Sequence, residues 1–216
     1  MQTPYRGLTL TTAPAQEPVS VESVNLMLGL SSADDNALVS SLVLAARQAC
    51  ERYTGRSLIT QTWTMYLDRL PGDREPWWDG ERQIAVSELY GRPCPIFLPR
   101  FPIQSVTSVK LYDWDDSATT VTASVYYVDT AQEPGRIVLE RGQVWPAVSL
   151  RQANGVEVIF VSGYGDDPED VPEPLRQGIR DMAAFMYEHR GQCDAQQSMY
   201  RSGATTLWDM YRIGRF

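Results

Sequence analysis

The stretch AARQACERYTGRSLITQTWTMYLDRLP, residues 45–71, changes its hydrophobic period near its middle. Before Gly55, apolar residues recur every three or four positions, which is typical of an amphipathic helix. After Leu58, apolar residues alternate with threonine and tyrosine at every second position, which is typical of a half-buried strand. A helix that ends at a glycine and leads directly into a strand predicts a mixed α+β fold.

The helix of this stretch is predicted to span residues 33–54 and to begin at an S-x-x-D pattern, Ser32 to Asp35. Its apolar stripe is expected to consist of residues three or four positions apart, widened by a second set beside it. The stripe contains Leu38, Leu42, Ala45, Ala49 and Tyr53, and the second set contains Val39, Val43, Ala46 and Cys50.

Two further helices are predicted in the chain. Residues 20–28, SVESVNLML, have Ser20 as an N-cap and Gly29 as a stop. A last helix over residues 173–190 follows the acidic, proline-containing segment DDPEDVPEP, which suits the positive end of a helix. Its stripe is Leu175, Ile179, Met182, Ala183, Met186 and Tyr187. Since neither long helix can bury its stripe alone, we expect the two to pack together.

The segment between the two long helices reads as strands separated by turns such as DWDDSA and EPG. After the strand at 58–67, strands are predicted near residues 84–86, 96–98, 103–112, 125–128, 136–139 and 156–161. Connections this short favour antiparallel pairing, because a parallel pair needs a long crossover. The predicted fold class is α+β: a small helical bundle of N-terminal helices plus a C-terminal helix, with an inserted antiparallel β domain and an extended C-terminal arm.

The expected domain organisation follows from these elements. It comprises an N-terminal leader (1–19), the first half of the helical part (20–56), the inserted β domain (57–165), the last helix (166–191), and a linker with a C-terminal docking arm (192–216).

Composition narrows the function classes. The chain has 216 residues and a net charge of −8, with no apolar run near the ~20 residues that span a bilayer. The start, MQTPYRGLTL, lacks the basic and apolar regions of a secretory signal, so we expect synthesis and retention in a cytosol. The negative charge argues against a broad grip on nucleic acid, which depends on lysine and arginine. It is compatible with a conduit that DNA passes through without specific binding.

The residues typical of catalytic and metal sites are sparse. The three cysteines are far apart and the chain has one histidine, so neither a zinc site nor a disulfide framework is predicted. His189 lies at the end of the last helix, where an imidazole commonly interacts with exposed carbonyls. Gly163 and Gly165 lack the rest of a nucleotide-binding motif and are interpreted as a turn. We therefore predict no catalytic, cofactor or metal site.

Two groups of acidic residues leave alternatives open. One is Asp113, Asp115 and Asp116, and the other is Asp166, Asp167, Glu169 and Asp170. Neither follows the EF-hand spacing, so solvated turns are favoured over calcium binding. Together with Trp63, Trp77, Trp78, Trp114 and Trp145, such carboxylates could also form a sugar cleft, which keeps a glycoside hydrolase as an alternative.

The chain ends in TTLWDMYRIGRF, an unusual ending because terminal segments are normally polar. The preceding segment, GQCDAQQSMYRSGATT, is polar and contains glycine, so we expect an extended linker and not a helix. The terminal aromatic, aliphatic and arginine residues are of the types common in binding hot spots. The predicted partner-binding residues are Leu207, Trp208, Met210, Tyr211, Arg212, Ile213, Arg215 and Phe216. The alternative is that this tail packs on its own domain.

Read in order, several segments resemble the head-tail connector (adaptor) proteins of long-tailed bacteriophages and gene transfer agents. The resemblance rests on the opening stretch and on IFLPRFPIQSVTSVKLYD, YYVDTAQEPGRIVL, WP, VEVIFVSGYGD and VPEPLRQGIRDMAAFMYEHR. It covers residues 20–190 and returns at YRIGRF. The loop EPWWDGERQIAVSELYGRPC is longer than in that pattern, so its contacts are unassigned.

The resemblance implies a non-enzymatic virion protein at the head-tail interface, made in the cytoplasm of a bacterial host. Such proteins form a homo-oligomeric ring, typically of twelve subunits, beneath the portal protein. The ring extends the DNA channel and offers a docking surface for tail-proximal connector or tail terminator proteins, without membrane contact. The C-terminal arm would bind the portal or a neighbouring subunit. Another virion assembly or tail-completion protein is the nearest alternative.

Overall fold

The computed structural model describes residues 6–70, 95–190 and 194–212. These residues form two compact units. A β unit takes its described residues from Met1–Thr12, Thr62–Pro99 and Ile103–Val161, and a helical unit takes them from Ala13–Gln61, Arg100–Pro102 and Ser162–Phe216. The fold is mixed α+β, as the change of period predicts.

The described part of the helical unit contains five helices. They are α1 (Val21–Leu28), α2 (Asn36–Thr54), α3 (Glu173–Glu188), α4 (Ala195–Arg201) and α5 (Ala204–Trp208), with a 3-10 turn over Asp209–Tyr211. The predicted ends of α1 are confirmed, because the Ser20 hydroxyl accepts a hydrogen bond from the Ser23 amide and Gly29 is left-handed. Gly55 ends α2 in the same conformation, with φ of 76°.

The predicted start of α2 is wrong, whereas its wide apolar stripe is confirmed in part: Leu42, Ala49 and Tyr53 pack against the core. The helix begins at Asn36, and the Asp35 side chain makes no capping hydrogen bond. The residues that lie in the core are the expected second set, Val39, Val43, Ala46 and Cys50, whereas Leu38 is 36% exposed. Apolar residues surround the first half of α2, so periodicity alone did not identify its buried face.

The predicted packing of the two long helices is confirmed. Val39, Val43 and Cys50 of α2 share one hydrophobic core with Leu175, Ile179, Met182 and Ala183 of α3. These α3 residues belong to the predicted stripe, and its remaining members, Met186 and Tyr187, pack at the edge of the core. The core therefore joins segments more than a hundred residues apart in sequence.

The described residues of the β unit form two sheets. Their strands are β1 (Arg6–Thr12), β2 (Gln61–Leu67), β3 (Ile96–Phe97), β4 (Ile103–Tyr112), β5 (Ala118–Thr120), β6 (Tyr126–Asp129), β7 (Arg136–Leu139) and β8 (Val156–Ser162). One sheet has the order β1-β2-β8-β4-β5 and the other β3-β7-β6. The pairs β1–β2, β4–β5, β3–β7 and β6–β7 are antiparallel.

The sequence predicted most of these strands, and β4 and β7 have the predicted bounds. The strand predicted at 58–67 begins later, at Gln61. The strand predicted near residues 84–86 lies outside the described residues.

The segment predicted as a leader contains strand β1, which sequence analysis missed. Leu8 pairs with Met65 and Leu10 with Trp63, so an N-terminal segment extends the five-stranded sheet at its edge. The alternation of leucine and threonine in GLTLTT was the available signal. Strand β5 was also missed, because three residues beside an acidic turn are too short to show a period.

The prediction that the polar segment before the terminal residues is an extended linker is also wrong. Instead of an extended segment, residues 195–208 form α4 and α5. The Asp194 carboxylate accepts a hydrogen bond of 2.7 Å from the Gln197 amide and so caps α4. Polar composition suggested a tether, but a cap and a few buried side chains are enough to hold short helices against a bundle.

Within the described ranges, no helix is both long enough and apolar enough to cross a bilayer.

Candidate partner-binding segment

The C-terminal segment, residues 194–212, packs on the helical unit through a small number of side chains. Met199 and Ala204 are buried in the shared hydrophobic core, and Trp208 is 0% exposed there. Gly203 separates α4 from α5 with φ of 80°, a left-handed conformation that most residues avoid. The segment is thus an integral part of the bundle as far as Trp208.

Trp208 occupies a defined slot on α3. Its indole nitrogen Nε1 donates a hydrogen bond of 3.3 Å to the Leu175 carbonyl oxygen. Gly178 makes room for the ring, since a Cβ there would lie 2.3 Å from Nε1. For Trp208 the structure supports the alternative interpretation, in which the tail packs on its own domain. Leu207 is partly buried against the same core.

Tyr53 of α2 contacts the residues that follow Trp208. Its ring centroid lies 6.1 Å from that of Trp208, and the Arg212 guanidinium carbon lies 5.1 Å from the centroid of the Tyr53 ring. The Tyr53 hydroxyl donates a hydrogen bond to the Asp209 carboxylate, which raises the pKa of Tyr53. Tyr53 therefore orders the described residues that follow Trp208.

Arg56 adds a backbone anchor at the same place. Its Nε donates a hydrogen bond of 2.8 Å to the Tyr211 carbonyl oxygen. Sequence analysis missed Tyr53 and Arg56 as supports of the arm, because residues 155 positions apart carry no local signal of contact.

The eight predicted partner-binding residues are divided by the structure. Trp208 is buried and Leu207 and Tyr211 are partly buried, whereas Met210 is 71% exposed and Arg212 is also exposed. Ile213, Arg215 and Phe216 lie outside the described residues. Within the described part of the arm, Met210 is the most exposed large apolar side chain, and Arg212 is an exposed cation two residues further along.

A buried charge network supports the helix on which the arm rests. The Glu51 carboxylate accepts hydrogen bonds from Arg47 Nη1 at 2.9 Å, the Leu58 amide at 3.2 Å and Gln61 Nε2 at 2.6 Å. The Arg47 guanidinium also forms an ion pair with Glu17, in which Nε lies 2.7 Å from the Glu17 Oε2 atom. All of these residues belong to the helical unit, where the network joins the segment before α1, helix α2 and the residues that follow α2.

The groups considered for chemistry have structural partners. His189 Nδ1 lies 3.0 Å from the Phe185 carbonyl oxygen, and its ring stacks on Phe185 with centroids 4.0 Å apart. This arrangement is the helix-end role that the sequence predicts. Cys50 is a buried free thiol whose pKa is raised by burial, and raised further by the neighbouring Glu51 charge, which disfavours its nucleophilic thiolate form.

The two acidic groups organise turns. The Asp113 carboxylate accepts hydrogen bonds from the amides of Asp115 and Ser117, and Asp167 and Asp170 form a reciprocal capping box. Among the described residues, no cluster of three or more histidine, cysteine or acidic side chains is arranged to hold a metal ion.

Of the tryptophans considered for a sugar cleft, Trp63, Trp114 and Trp145 are described, and they lie on different elements of the β unit. Trp63 is buried on β2, Trp114 is 63% exposed in the turn after β4, and Trp145 stacks on Tyr126 at 6.4 Å. Trp77 and Trp78 are outside the described residues. The three described tryptophans therefore lie in three different environments: one is buried in a strand, one is exposed in a turn and one is stacked on a tyrosine.

Comparison with known proteins identifies relatives by fold alone. No protein-family model matches the sequence, and no curated protein is significantly similar to it. The fold is similar to a chain in the neck of an empty gene transfer agent (GTA) particle computed with C6 symmetry, with a TM-score of 0.72 at 22% identity. That match covers 97% of this chain and 97% of the other.

Two further solved structures have the same likeness. A chain in the virion of a native GTA particle gives a TM-score of 0.70 at 22% identity, over 97% of this chain and 96% of that one. A chain in the neck of a native GTA particle computed with C12 symmetry gives 0.67 at 23% identity, over 97% of both chains. The similarity in fold therefore extends through both units.

Proposed function

We propose that this chain is a structural, non-enzymatic virion protein of the neck, an adaptor that forms a ring beneath a portal. In that position it extends the DNA channel and provides the surface on which the tail, through a tail-proximal connector or terminator protein, docks. The observation that carries the proposal is the likeness in fold to chains of GTA necks over nearly the full length of both chains.

The symmetry of those particles supports a ring of twelve copies. Twelve equivalent positions satisfy twelve-fold symmetry and also six-fold symmetry, because six divides twelve. A closed ring requires two different patches of each subunit to meet, and a chain with two compact units offers distinct surfaces for that purpose.

The charge of the chain suits a channel for DNA. A net charge of −8 repels the phosphate backbone and so disfavours adhesion of the DNA during its passage. A protein that holds DNA needs clustered lysine and arginine, and its binding weakens steeply with salt. The adaptor is accordingly expected to show little affinity for duplex DNA at physiological salt.

The C-terminal arm is the proposed contact with the portal. Trp208 anchors the arm to its own bundle, and Tyr53 and Arg56 hold the residues that follow. We assign portal contact to the residues beyond that anchor: Met210, Tyr211, Arg212, Ile213, Arg215 and Phe216. Binding to the neighbouring subunit of the ring is the alternative destination of these residues.

The proposal is tested by mixing purified protein with portal rings and imaging the mixture by electron microscopy. Ring-shaped caps on the portals are expected. A variant with Met210→Ala and Arg212→Ala should remain folded but lose the caps, while a matched pair of exposed residues in the β unit, Tyr127→Ala and Val144→Ala, should retain them. Monomers that never join a portal would contradict the adaptor role, and attachment to isolated tails alone would indicate a tail-completion protein.

If the arm binds the neighbouring subunit, the first variant would still reach the portal but as separate, unclosed subunits. Image classification distinguishes these two results. Loss of portal binding would leave bare portals, whereas loss of the contact between subunits would leave portals that carry separate subunits without a closed ring.

A further inference from the structure

Helix α2 carries no charged side chain over residues 36–46, about three turns of helix. One side of these turns, Val39, Val43 and Ala46, lies in the core. On the other sides Leu38 is 36% exposed, Leu44 is 40% exposed, and Ser41 between them is also exposed. A surface helix normally places charged residues opposite its buried stripe, so this outer side is unusual in carrying no charge, although Asn36, Ser40 and Ser41 keep it partly polar.

The end of α1 adds two larger apolar groups. Leu26 is 85% exposed and Met27 is 51% exposed. The Asn25 side-chain amide donates a hydrogen bond of 2.7 Å to the Asn36 side chain, which joins the end of α1 to the start of α2. We refer to Leu26, Met27, Leu38, Ser41 and Leu44 as the uncharged face.

The uncharged face has the features of a protein contact. Scattered apolar residues are ordinary on protein surfaces, but four of them on two helices joined end to start favour association. The nearest exposed carboxylates in sequence are Glu22, four residues before Leu26, and Asp34, four residues before Leu38. Its side chains carry no charge, and the hydroxyl of Ser41, its one polar member, donates a hydrogen bond of 2.7 Å to the Leu38 carbonyl oxygen.

The charge of the chain indicates which partner fits this face. Two copies that each carry a net charge of −8 repel one another wherever carboxylates oppose carboxylates. A basic partner would instead be attracted to the acidic surfaces, so its binding would not favour an uncharged face over them. An uncharged, apolar face is therefore the place at which an equally acidic molecule can approach without repulsion.

We propose that the uncharged face of α1 and α2 binds a second copy of this chain. The inference deepens the proposed ring and rests on it, since it names one of the two patches through which neighbouring subunits meet. It requires the contact to form between two copies without a portal as template.

Sedimentation velocity over a wide concentration range tests the proposal. Wild-type protein should show faster-sedimenting species as concentration rises. Leu26→Glu and Leu44→Glu should each shift the association to at least about tenfold higher concentration, because a carboxylate would be buried against an apolar partner. Leu26 is 85% exposed, so circular dichroism and the melting temperature of Leu26→Glu should stay unchanged. Leu44 is 40% exposed, so Leu44→Glu should keep its circular dichroism spectrum with a small loss in melting temperature.

Val144→Glu is the matched control, because Val144 is a 77% exposed aliphatic residue of the β unit and the substitution adds the same charge. It should associate like the wild type. Equal weakening in this control would overturn the proposal, since the effect would then follow net charge and not location. Unchanged association in the two leucine variants would overturn it as well.

A wild-type protein that stays monomeric at every concentration would also overturn the inference. The proposed function would remain open to its own test in that case, because rings could still form on portals. If the protein self-associates as expected but forms no caps on portals, the proposed function would be contradicted and the inference about the uncharged face would stand.

Discussion

The indole of Trp208 lies directly over Gly178, and a Cβ at position 178 would meet the indole Nε1 at 2.3 Å. Gly178 is in the middle of α3, where glycine costs about 0.5–1 kcal/mol relative to alanine. The glycine is tolerated because it admits the largest fully buried side chain of the described residues. The close approach joins the C-terminal segment to the core of the helical unit.

Gly178→Ala is expected to destabilise the protein by about 1–3 kcal/mol, as overpacking does in a dense core. Helix propensity alone predicts the opposite sign, so the direction of the change is informative. Urea denaturation followed by far-ultraviolet circular dichroism measures the free energy of unfolding. In a Trp208→Ala background the same substitution should become neutral or stabilising. Destabilisation of similar size in both backgrounds would show that the indole is not the cause.

Trp208→Ala should lower the free energy of unfolding by about 3–5 kcal/mol, because it removes a buried aromatic ring and leaves a cavity. Met210→Ala, two residues further along, should change it by about 0.5 kcal/mol or less, since Met210 is 71% exposed. Thermal and urea unfolding of both variants would test the division of the arm into an anchor and an accessible end. Equal destabilisation would contradict that division.

Arg47→Met should destabilise the helical unit by about 3–5 kcal/mol, because it leaves the Glu51 carboxylate buried without its cationic partner. The side chains of Arg47 and Glu51 are only 7% and 8% exposed. Glu17→Gln is the matched comparison, since Glu17 is 32% exposed and pairs with the same arginine. Its cost should be about 1 kcal/mol or less. A reversed order in urea unfolding would mean that Glu17 and not Glu51 is the main partner.

Asp35 should make part of the stability depend on pH in the acid range. The Tyr187 hydroxyl donates a hydrogen bond to this carboxylate, which lowers the pKa of Asp35, and Arg190 lowers it further. The carboxylate form is thus favoured in the folded state. Its stabilising effect is full above the ordinary carboxyl pKa and is lost as pH falls through the lower folded value.

The difference in melting temperature between wild type and Asp35→Asn measures this effect. It should be present at neutral pH and shrink as the pH falls below about 4, the ordinary aspartate range. Tyr187→Phe should reduce the same pH dependence while leaving the carboxylate in place. A wild-type advantage that persists unchanged at low pH would exclude Asp35 as its source.

Local sequence patterns predicted the elements with strong periods or clear boundaries. Strands β4 and β7 have their predicted bounds, and the stripe of α3 is the one that packs in the core. The ends of α1 follow from a serine cap and a left-handed glycine, both local features. Such signals are readable because they depend on residues within one turn or one strand.

The predictions failed where neighbours in space decide the outcome. Nothing local distinguishes Leu38 from Val39 on a helix that is apolar on most sides, yet Val39 is buried and Leu38 is partly exposed. The polar linker was predicted to be extended, but an Asp194 cap and buried Met199 hold it as a helix. Tertiary packing overrides weak propensity in segments this short.

For the candidate site, the sequence identified a set of candidate binding residues between Leu207 and Phe216. The fold then separated the buried Trp208 from the exposed Met210. Tryptophan, methionine and arginine are equally plausible anchors when read in order. Trp208 became a core residue because a glycine on α3 leaves a slot of its size, while Met210 stayed exposed.

By itself the sequence determined the fold class, the main helices and strands and the acidic character of the chain, because period, caps and charge are local or additive. Only the tertiary structure decided which face of α2 is buried, that β1 joins the sheet, and where the arm begins. Those outcomes depend on contacts between residues far apart in the chain, such as Tyr53 with Asp209 and Trp208 with Leu175, and the free energy of such contacts exists only once the chain has folded.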